Sequence, residues 1–179
     1  MQNEQPGSTW RVLVIEDEED NRDVIASALM FYRMTVKTAA NGLEAIALLG
    51  DFVPDFMLCD LAMPKMDGWQ TLAAIRSDPK WLHIPVIALT AYAMKGDKEK
   101  ALAKGFDGYI TKPIDVLTIF TTLKTILSDI AKKMVISRDD KPNVISATTI
   151  QPTITLLAAV GQGDHTDTAS HNNSVAQSQ

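Results

Sequence analysis

Apolar and polar positions along this chain fall into blocks of two kinds, and the blocks take turns. Short apolar runs suited to buried strands are RVLVIE, MTVKTA, PDFMLCD, PVIALT and GYIT, beginning at residues 11, 34, 54, 85 and 108. Between them lie segments with helical spacing. The first carries Ile25, Ala28, Leu29 and Tyr32. The second has Asn41 as its cap, Glu44 three residues on to complete a capping box, and Leu43, Ile46 and Ala47 as its apolar stripe. Asp67 and Gly68 open a third helix carrying Leu72 and Ile75. A lysine-rich helix spans roughly residues 94–104, with Met94, Ala101 and Leu102 turned inward. Asp115 caps a last helix with Val116, Phe120, Leu123, Leu127 and Ile130 on one face.

Strict alternation of strand and helix predicts parallel strands joined by right-handed crossover helices on both faces of a sheet. The alternation stops near residue 131. Every Trp, Tyr and Phe lies between residues 10 and 120, and from about Val135 the chain turns to Ser, Thr, Asn, Gln, Asp and Gly. The expected organisation is a short extension over 1–9, one α/β domain over 10–131, and a largely disordered tail over 132–179. Within that tail, NVISATTIQPTITLLAAVG is β-branched enough for a strand or two, but Pro152 interrupts it and no second core is visible.

Composition narrows the function classes. Of 179 residues, 46% are apolar and 22% charged, a globular balance. The formal net charge of −5 argues against a chain that neutralises nucleic-acid phosphates. Residues 135–179 carry only Arg138 and Lys141 as basic residues, so no DNA-reading module is expected there. No apolar stretch is long enough to cross a bilayer, and the first residues lack the pattern of a signal peptide. A single cysteine, Cys59, excludes an internal disulfide framework and fits a reducing, cytoplasmic setting.

Ligands of parallel α/β sheets bind outside the carboxyl ends of the strands. Those ends carry Glu16 and Asp17, Asp60, Thr90, and Lys112 with Pro113. Three converging carboxylates repel: two unit charges 4 Å apart cost about 4 kcal/mol at an effective dielectric of 20. A divalent cation, a lysine or a raised carboxylate pKa must offset this. An all-oxygen acid set without His or Cys suits a hard cation such as Mg²⁺. A carboxylate can also be a nucleophile toward phosphorus. With Lys112 to neutralise phosphoryl oxygens and the Thr90 hydroxyl to donate to one, the set matches phosphoryl transfer to Asp60. A phosphate-cradling flavodoxin loop, a GxxxxGK[ST] nucleotide site and a histidine constellation from His83, His165 and His171 do not fit.

The segments VLVIEDEEDN, PDFMLCDLAMPKMDGWQ, IPVIALTAYA and GFDGYITKPID, in this order and spacing, resemble the receiver domain of bacterial two-component response regulators. The resemblance implies a doubly wound, flavodoxin-like five-stranded parallel sheet of order 2-1-3-4-5 with five helices. It implies Asp60 as phosphoacceptor, Asp17 as direct metal ligand, Glu16 as the acid acting through a metal-bound water, and the carbonyl of Ala62 as a further ligand, with Mg²⁺ as the cofactor. Thr90 matches the switch hydroxyl, Lys112 the phosphoryl-pairing lysine, and Tyr109 the aromatic that follows Thr90 inward. The Lys112–Pro113 bond is expected cis. Ala62 and Tyr92 match positions that tune phosphoryl lifetime.

On this resemblance the chain is a switch rather than an enzyme acting on outside substrates. A histidine kinase or phosphotransfer protein would be its donor. A downstream protein would bind the face formed by the fourth helix, fifth strand and fifth helix, with no direct DNA or membrane binding. The protein would be a monomer, or a dimer formed on phosphorylation. A relay intermediate, or a receiver of a hybrid kinase system, is the alternative. Two further readings are a constitutive binding module and a metal-dependent phosphatase.

Overall fold

A computed structural model describes residues 10–91 and 97–139. Five strands, β1 (Arg11–Ile15), β2 (Thr35–Ala39), β3 (Phe56–Asp60), β4 (Val86–Thr90) and β5 (Gly108–Thr111), alternate with five helices. These are α1 (Glu19–Phe31), α2 (Gly42–Leu48), α3 (Gly68–Ser77), α4 (Asp97–Ala103) and α5 (Ile119–Asp139). The strands form one parallel sheet in the order β2-β1-β3-β4-β5, as the resemblance implies.

The pattern of each strand follows its place. β3 and β4 are buried at every residue, and β1 at all but Arg11, because helices cover both faces of the sheet centre. The outer strands β2 and β5 have exposed positions. Side chains alternate between the two faces. Val12, Val14, Phe56, Leu58, Ile87, Leu89 and Ile110 join α1 and α5 in one core. Leu13, Ile15, Met57, Cys59, Val86 and Ala88 join α2, α3 and α4 in the other.

Two helices differ from their expected faces. In α2, Leu43 is 57% exposed and Ala47 is exposed, while Gly42, Ala45 and Leu49 are buried and Ile46 packs against the core. The inward set is thus i, i+3, i+4 and i+7 counted from Gly42. Gly42 sets it. Its amide donates to the Met66 carbonyl at 3.2 Å, and a Cβ there would overlap Thr71 Oγ1 and the Met66 side chain. The smallest side chain therefore marks the closest contact. The cap is as expected at Asn41, whose side chain accepts from the Glu44 amide. The Glu44 carboxylate returns to the amide of Ala40 rather than to that of Asn41.

In α5, Val116 is exposed. The Asp115 carboxylate accepts from the Leu117 amide and its carbonyl from the Ile119 amide, so residues 116–118 form a turn and the helix starts at Ile119. Ile119 then takes the inner place with Leu123, Leu127 and Ile130, and Phe120 is half-buried, stacked on Tyr32. The helix continues eight residues past position 131, to Asp139. Ala101 is buried in α4 and Leu102 half-buried, as expected. Met94, Tyr92, the 1–9 extension and the tail from residue 140 lie outside the described residues.

Candidate functional site

Register and alternation together bring the acids to one place. Ile15 lies opposite Cys59 across the β1–β3 ladder, so the next step sets Glu16 beside Asp60. Both continue the row of Val14 and Leu58, on the side of α1 and α5. On β5 the same row runs through Ile110 and on to Lys112. The ladders persist just past the strand ends. The Glu16 amide donates to the Ala39 carbonyl (3.0 Å), Leu61 to Leu89 (3.2 Å) and Lys112 to Thr90 (2.7 Å). The backbone at Glu16, Leu61, Thr90 and Lys112 is thereby tied to a neighbouring strand.

Glu16 is completely buried, Asp60 and Thr90 nearly so, and Asp17 is half-buried. One oxygen from each of Glu16, Asp17 and Asp60 lies within 4.8 Å of the others. Lys112 reaches back over this group. Its Nζ donates to Asp60 Oδ2 at 2.5 Å and to Glu16 Oε1 at 2.9 Å. Glu16 Oε2 is 2.7 Å from the same nitrogen but off the hydrogen-bonding direction, so this buried oxygen has charge contact and no hydrogen bond. One lysine against three carboxylates leaves a formal charge of −2.

The electrostatics follow from burial and pairing. Burial pushes the Glu16 carboxyl above the ordinary glutamate range and the Asp60 charge pushes the same way, against the lowering effect of Lys112. For Lys112, burial opposes the charge, but hydrogen bonds to Asp60 and Glu16 and their charges outweigh it and hold the ammonium above the ordinary lysine range.

Thr90 and Tyr109 belong to the opposite side of the sheet. Thr90 continues the row of Val86 and Ala88, and Tyr109 packs half-buried against the same core, with Lys98 Nζ 5.0 Å from its ring centroid. Ala62 is exposed in the loop after β3, and its amide donates to Asp60 Oδ1 at 3.2 Å. That loop is pinned at both ends. Buried Met63 anchors it, and the Gly68 amide donates to the Leu61 carbonyl. Asp67 and Gln70 form a reciprocal capping box that opens α3 against it. The Lys112–Pro113 bond is cis, as the resemblance implies.

The structure thus gathers Glu16, Asp17, Asp60 and Lys112 into one cluster, with Thr90 joined to Lys112 through the backbone. It also shows residues that the sequence reading did not single out. Arg22 Nη1 donates to the carbonyls of Glu16 (2.9 Å) and Asp17 (3.1 Å), clamping the acidic loop from the first turns of α1. The only sequence signal was a lone arginine in an acidic helix start. Gln70 was legible as the third residue after the Asp67 cap.

Cys59, one residue before Asp60, is fully buried. Its Sγ–H points to the Asp60 carbonyl (3.4 Å), and burial with the neighbouring acids pushes its thiol far above the ordinary range. Native protein should therefore leave Cys59 unmodified by an aromatic disulfide reagent, with full reaction only in denaturant. Rapid stoichiometric labelling under native conditions would contradict this burial.

Comparison with known proteins agrees with this architecture. The response regulator receiver domain pattern matches residues 12–124. The polar-differentiation response regulator DivK of Brucella anthropi is 36% identical over 118 residues, 66% of this chain and 96% of that protein. Among solved structures, the chemotaxis response regulator CheY4 of Vibrio cholerae superposes with a TM-score of 0.63 at 28% identity, covering 66% of this chain and 99% of that one. The receiver domain of the sensor histidine kinase PA1611 from Pseudomonas aeruginosa, with a magnesium ion coordinated in its active site cleft, matches with a TM-score of 0.60 at 30% identity. That match covers 66% of this chain and 97% of that one. With the strand order, the acid cluster and the overlying lysine in place, the chain belongs to the response regulator receiver domain family of two-component systems.

Proposed function

We propose that this chain is a phosphorylation-dependent signalling switch whose acceptor is Asp60. The observation that carries the reading is the cluster itself: three carboxylates at one sheet edge, one lysine over them, and a buried Glu16 oxygen lacking a hydrogen bond. The residual −2 charge and the all-oxygen donor set fit Mg²⁺. Asp17, Asp60 and the Ala62 carbonyl would hold the ion, with Glu16 behind them. When bound, Mg²⁺ supplies positive charge to the phosphoryl oxygens during transfer.

The chain's own residues do the rest. An Asp60 carboxylate oxygen forms a bond to phosphorus as the P–N bond of a donor phosphohistidine breaks and the imidazole leaves. Lys112, already within hydrogen-bond reach of Asp60 Oδ2, turns its ammonium to a transferred oxygen. Arg22 keeps the acidic loop in place through its two carbonyl bonds. The Thr90 hydroxyl then moves toward the new charge. Tyr109, on the same side of the sheet, follows and alters the surface of α4, β5 and α5, where a downstream protein binds. Hydrolysis of the acyl phosphate resets the switch.

A cytoplasmic histidine kinase or phosphotransfer protein is the natural donor. Among the described residues no helix is long and apolar enough to cross a membrane. Likeness to a sensor kinase's own receiver domain keeps a second reading in play, a relay that passes its phosphoryl group onward. Fast transfer from Asp60 to a phosphotransfer histidine, outpacing hydrolysis, would favour the relay.

The test is intact-mass analysis after incubation with acetyl phosphate. Wild type should gain one phosphoryl group when Mg²⁺ is present and none after chelation, and Asp60→Asn should gain none. An unmodified wild type that also fails to bind beryllofluoride would leave a constitutive binding module. Turnover of phosphomonoesters without an adduct on Asp60 would point to a phosphatase.

A further inference from the structure

α4 is held to the domain by little apolar burial. Within this helix Ala101 is buried and Leu102 half-buried, while Lys98, Glu99, Lys100 and Ala103 are exposed. A methyl group and part of a leucine make a small anchor beside Ile119, Leu123, Leu127 and Ile130 of α5. Two lysines add to it. At about 100° per residue, Lys98 lies about 60° to one side of Ala101 and Lys100 about 100° to the other. Each reaches across its own flank to an aromatic ring. Lys98 Nζ stands 5.0 Å from the centroid of Tyr109 on β5, and Lys100 Nζ 5.7 Å from that of Trp69 on α3. Both distances are within reach of a cation over a ring.

The two rings differ in what they are fixed to. Trp69 sits in the first turn of α3 and packs edge-on against buried Phe106 at 5.5 Å, and the Phe106 amide donates to the Ala101 carbonyl at 3.2 Å. That flank is set by packing. Tyr109 is only half-buried, and it stands in the sheet row that ends at the switch hydroxyl. It lies opposite Ala88 across the β4–β5 ladder, with Thr90 two residues further along the same face. The ammonium faces one orientation of this ring. A Tyr109 that turns away from α4 toward Thr90 gives the contact up.

We propose that Lys98 is a positioning residue for the switch: its ammonium over the Tyr109 ring holds that ring in its half-exposed resting place and so sets how readily modification of Asp60 moves it. The inference rests on the reading of Asp60, Thr90 and Tyr109 as a phosphorylation switch and adds a set point to it. A cation over a partly exposed ring biases a two-state equilibrium by about two- to fivefold. A ligand that engages Asp60 only in the moved state binds more weakly by the same factor. Neutralising Lys98 should therefore make the protein easier to switch. Simple charge loss predicts the opposite sign, because removing a cation weakens attraction for an anion at the site.

The test uses the full chain and has two arms. In proton NMR of the resting protein, the Lys98 methylene next to Nζ should be shifted upfield by the ring current, relative to that of exposed Lys104, and Tyr109→Leu should abolish the shift. The second arm is titration with beryllofluoride, an acyl phosphate mimic, at saturating Mg²⁺. Lys98→Met should bind it about two- to fivefold more tightly than wild type. Lys98→Arg should stay near wild type, since a guanidinium also stacks on a ring. Lys104→Met removes the same charge and should not tighten binding. In a Tyr109→Leu background, Lys98→Met should change nothing further. Lys98 is exposed, so its substitution makes little demand on the fold. Equal or weaker binding by Lys98→Met overturns the proposal, as does tightening that persists without the ring, or an unshifted Lys98 methylene. Wild type that binds no beryllofluoride would instead overturn the switch reading itself, and the set point with it, whatever the methylene shift.

Discussion

Lys112→Met should lower stability at neutral pH by roughly 3–5 kcal/mol, the usual cost of leaving a buried charge without its partner. The reason lies in what remains. Lys112 is the cation placed against both Glu16, which is completely buried, and Asp60, which is nearly so. Without it two adjacent carboxylates face each other across one ladder step. The pH dependence identifies the cause. A carboxyl raised in the folded state contributes stability that is complete below its unfolded value, near 4.5 for Glu16, and lost as pH rises through the folded one. Removing Lys112 takes away the hydrogen bond and the charge that restrain that rise. The variant should therefore lose stability more steeply than wild type above pH 4.5, and the two should converge on acidification. Wild type also has an alkaline limb. The raised Lys112 pKa contributes stability that is complete below 10.5 and fades as pH rises through the folded value.

Urea unfolding at a series of pH values measures both limbs. Mg²⁺ should recover more stability in the variant than in wild type, since it supplies the missing positive charge to the same oxygens. Phosphoryl uptake should drop by about 10²–10³-fold, the usual effect of losing one donor to a developing anion. Lys112→Arg should keep most of the stability but less of the rate, because a planar fork cannot replace a point charge in this geometry. An unchanged unfolding midpoint for Lys112→Met across the whole pH range would mean that the carboxylates are balanced by something other than this lysine.

Much of this was legible before the structure, for a physical reason. Central strands buried on both faces read as continuous apolar runs, and where such a run stops at a charged residue, the charge stands at the sheet edge. That logic located Glu16, Asp60, Thr90 and Lys112 from the ends of four runs. The apolar count fails where packing is set by what is missing. Gly42 carries no hydropathy signal, yet it decides which side of α2 faces inward, leaving Leu43 outside. Arg22 was also invisible, because its partners are backbone carbonyls and no residue type announces them. The end of α5 went unread because Lys132 and Lys133 interrupt the apolar stripe, while helix hydrogen bonding continues to Asp139 regardless of which side chains face out.

Gly68→Ala should slow phosphoryl uptake and destabilise the fold together, whereas Gly42→Ala should only destabilise it. Both glycines sit at the first turn of a helix and both make close contacts, but the contacts differ in kind. A Cβ on Gly68 would overlap the Asp60 carbonyl oxygen and approach the Leu61 Cα to 2.8 Å. Those atoms are backbone, continuous with β3 and tied to β4 through the Leu61 amide, so Asp60 itself must shift. A Cβ on Gly42 meets the Thr71 hydroxyl and the tip of Met66, and the Met66 side chain can swing aside. Thr71 yields less readily, because its hydroxyl donates to the Asp67 carbonyl at 2.6 Å. Overpacking of either kind costs roughly 1–3 kcal/mol, with Gly68 at the upper end because no rotamer change relieves it. Alanine's better helix propensity returns up to about 1 kcal/mol in a helix interior and less at a first turn, so the net sign holds. The discriminating readout is the rate of adduct formation at saturating Mg²⁺, measured where both variants remain folded. Uptake should fall at least about tenfold for Gly68→Ala, the effect of 1.4 kcal/mol lost at the reacting centre, and stay near wild type for Gly42→Ala. Equal rates in the two variants would show that the loop after β3 yields without moving Asp60, and that α3 could open against it with a larger residue in place.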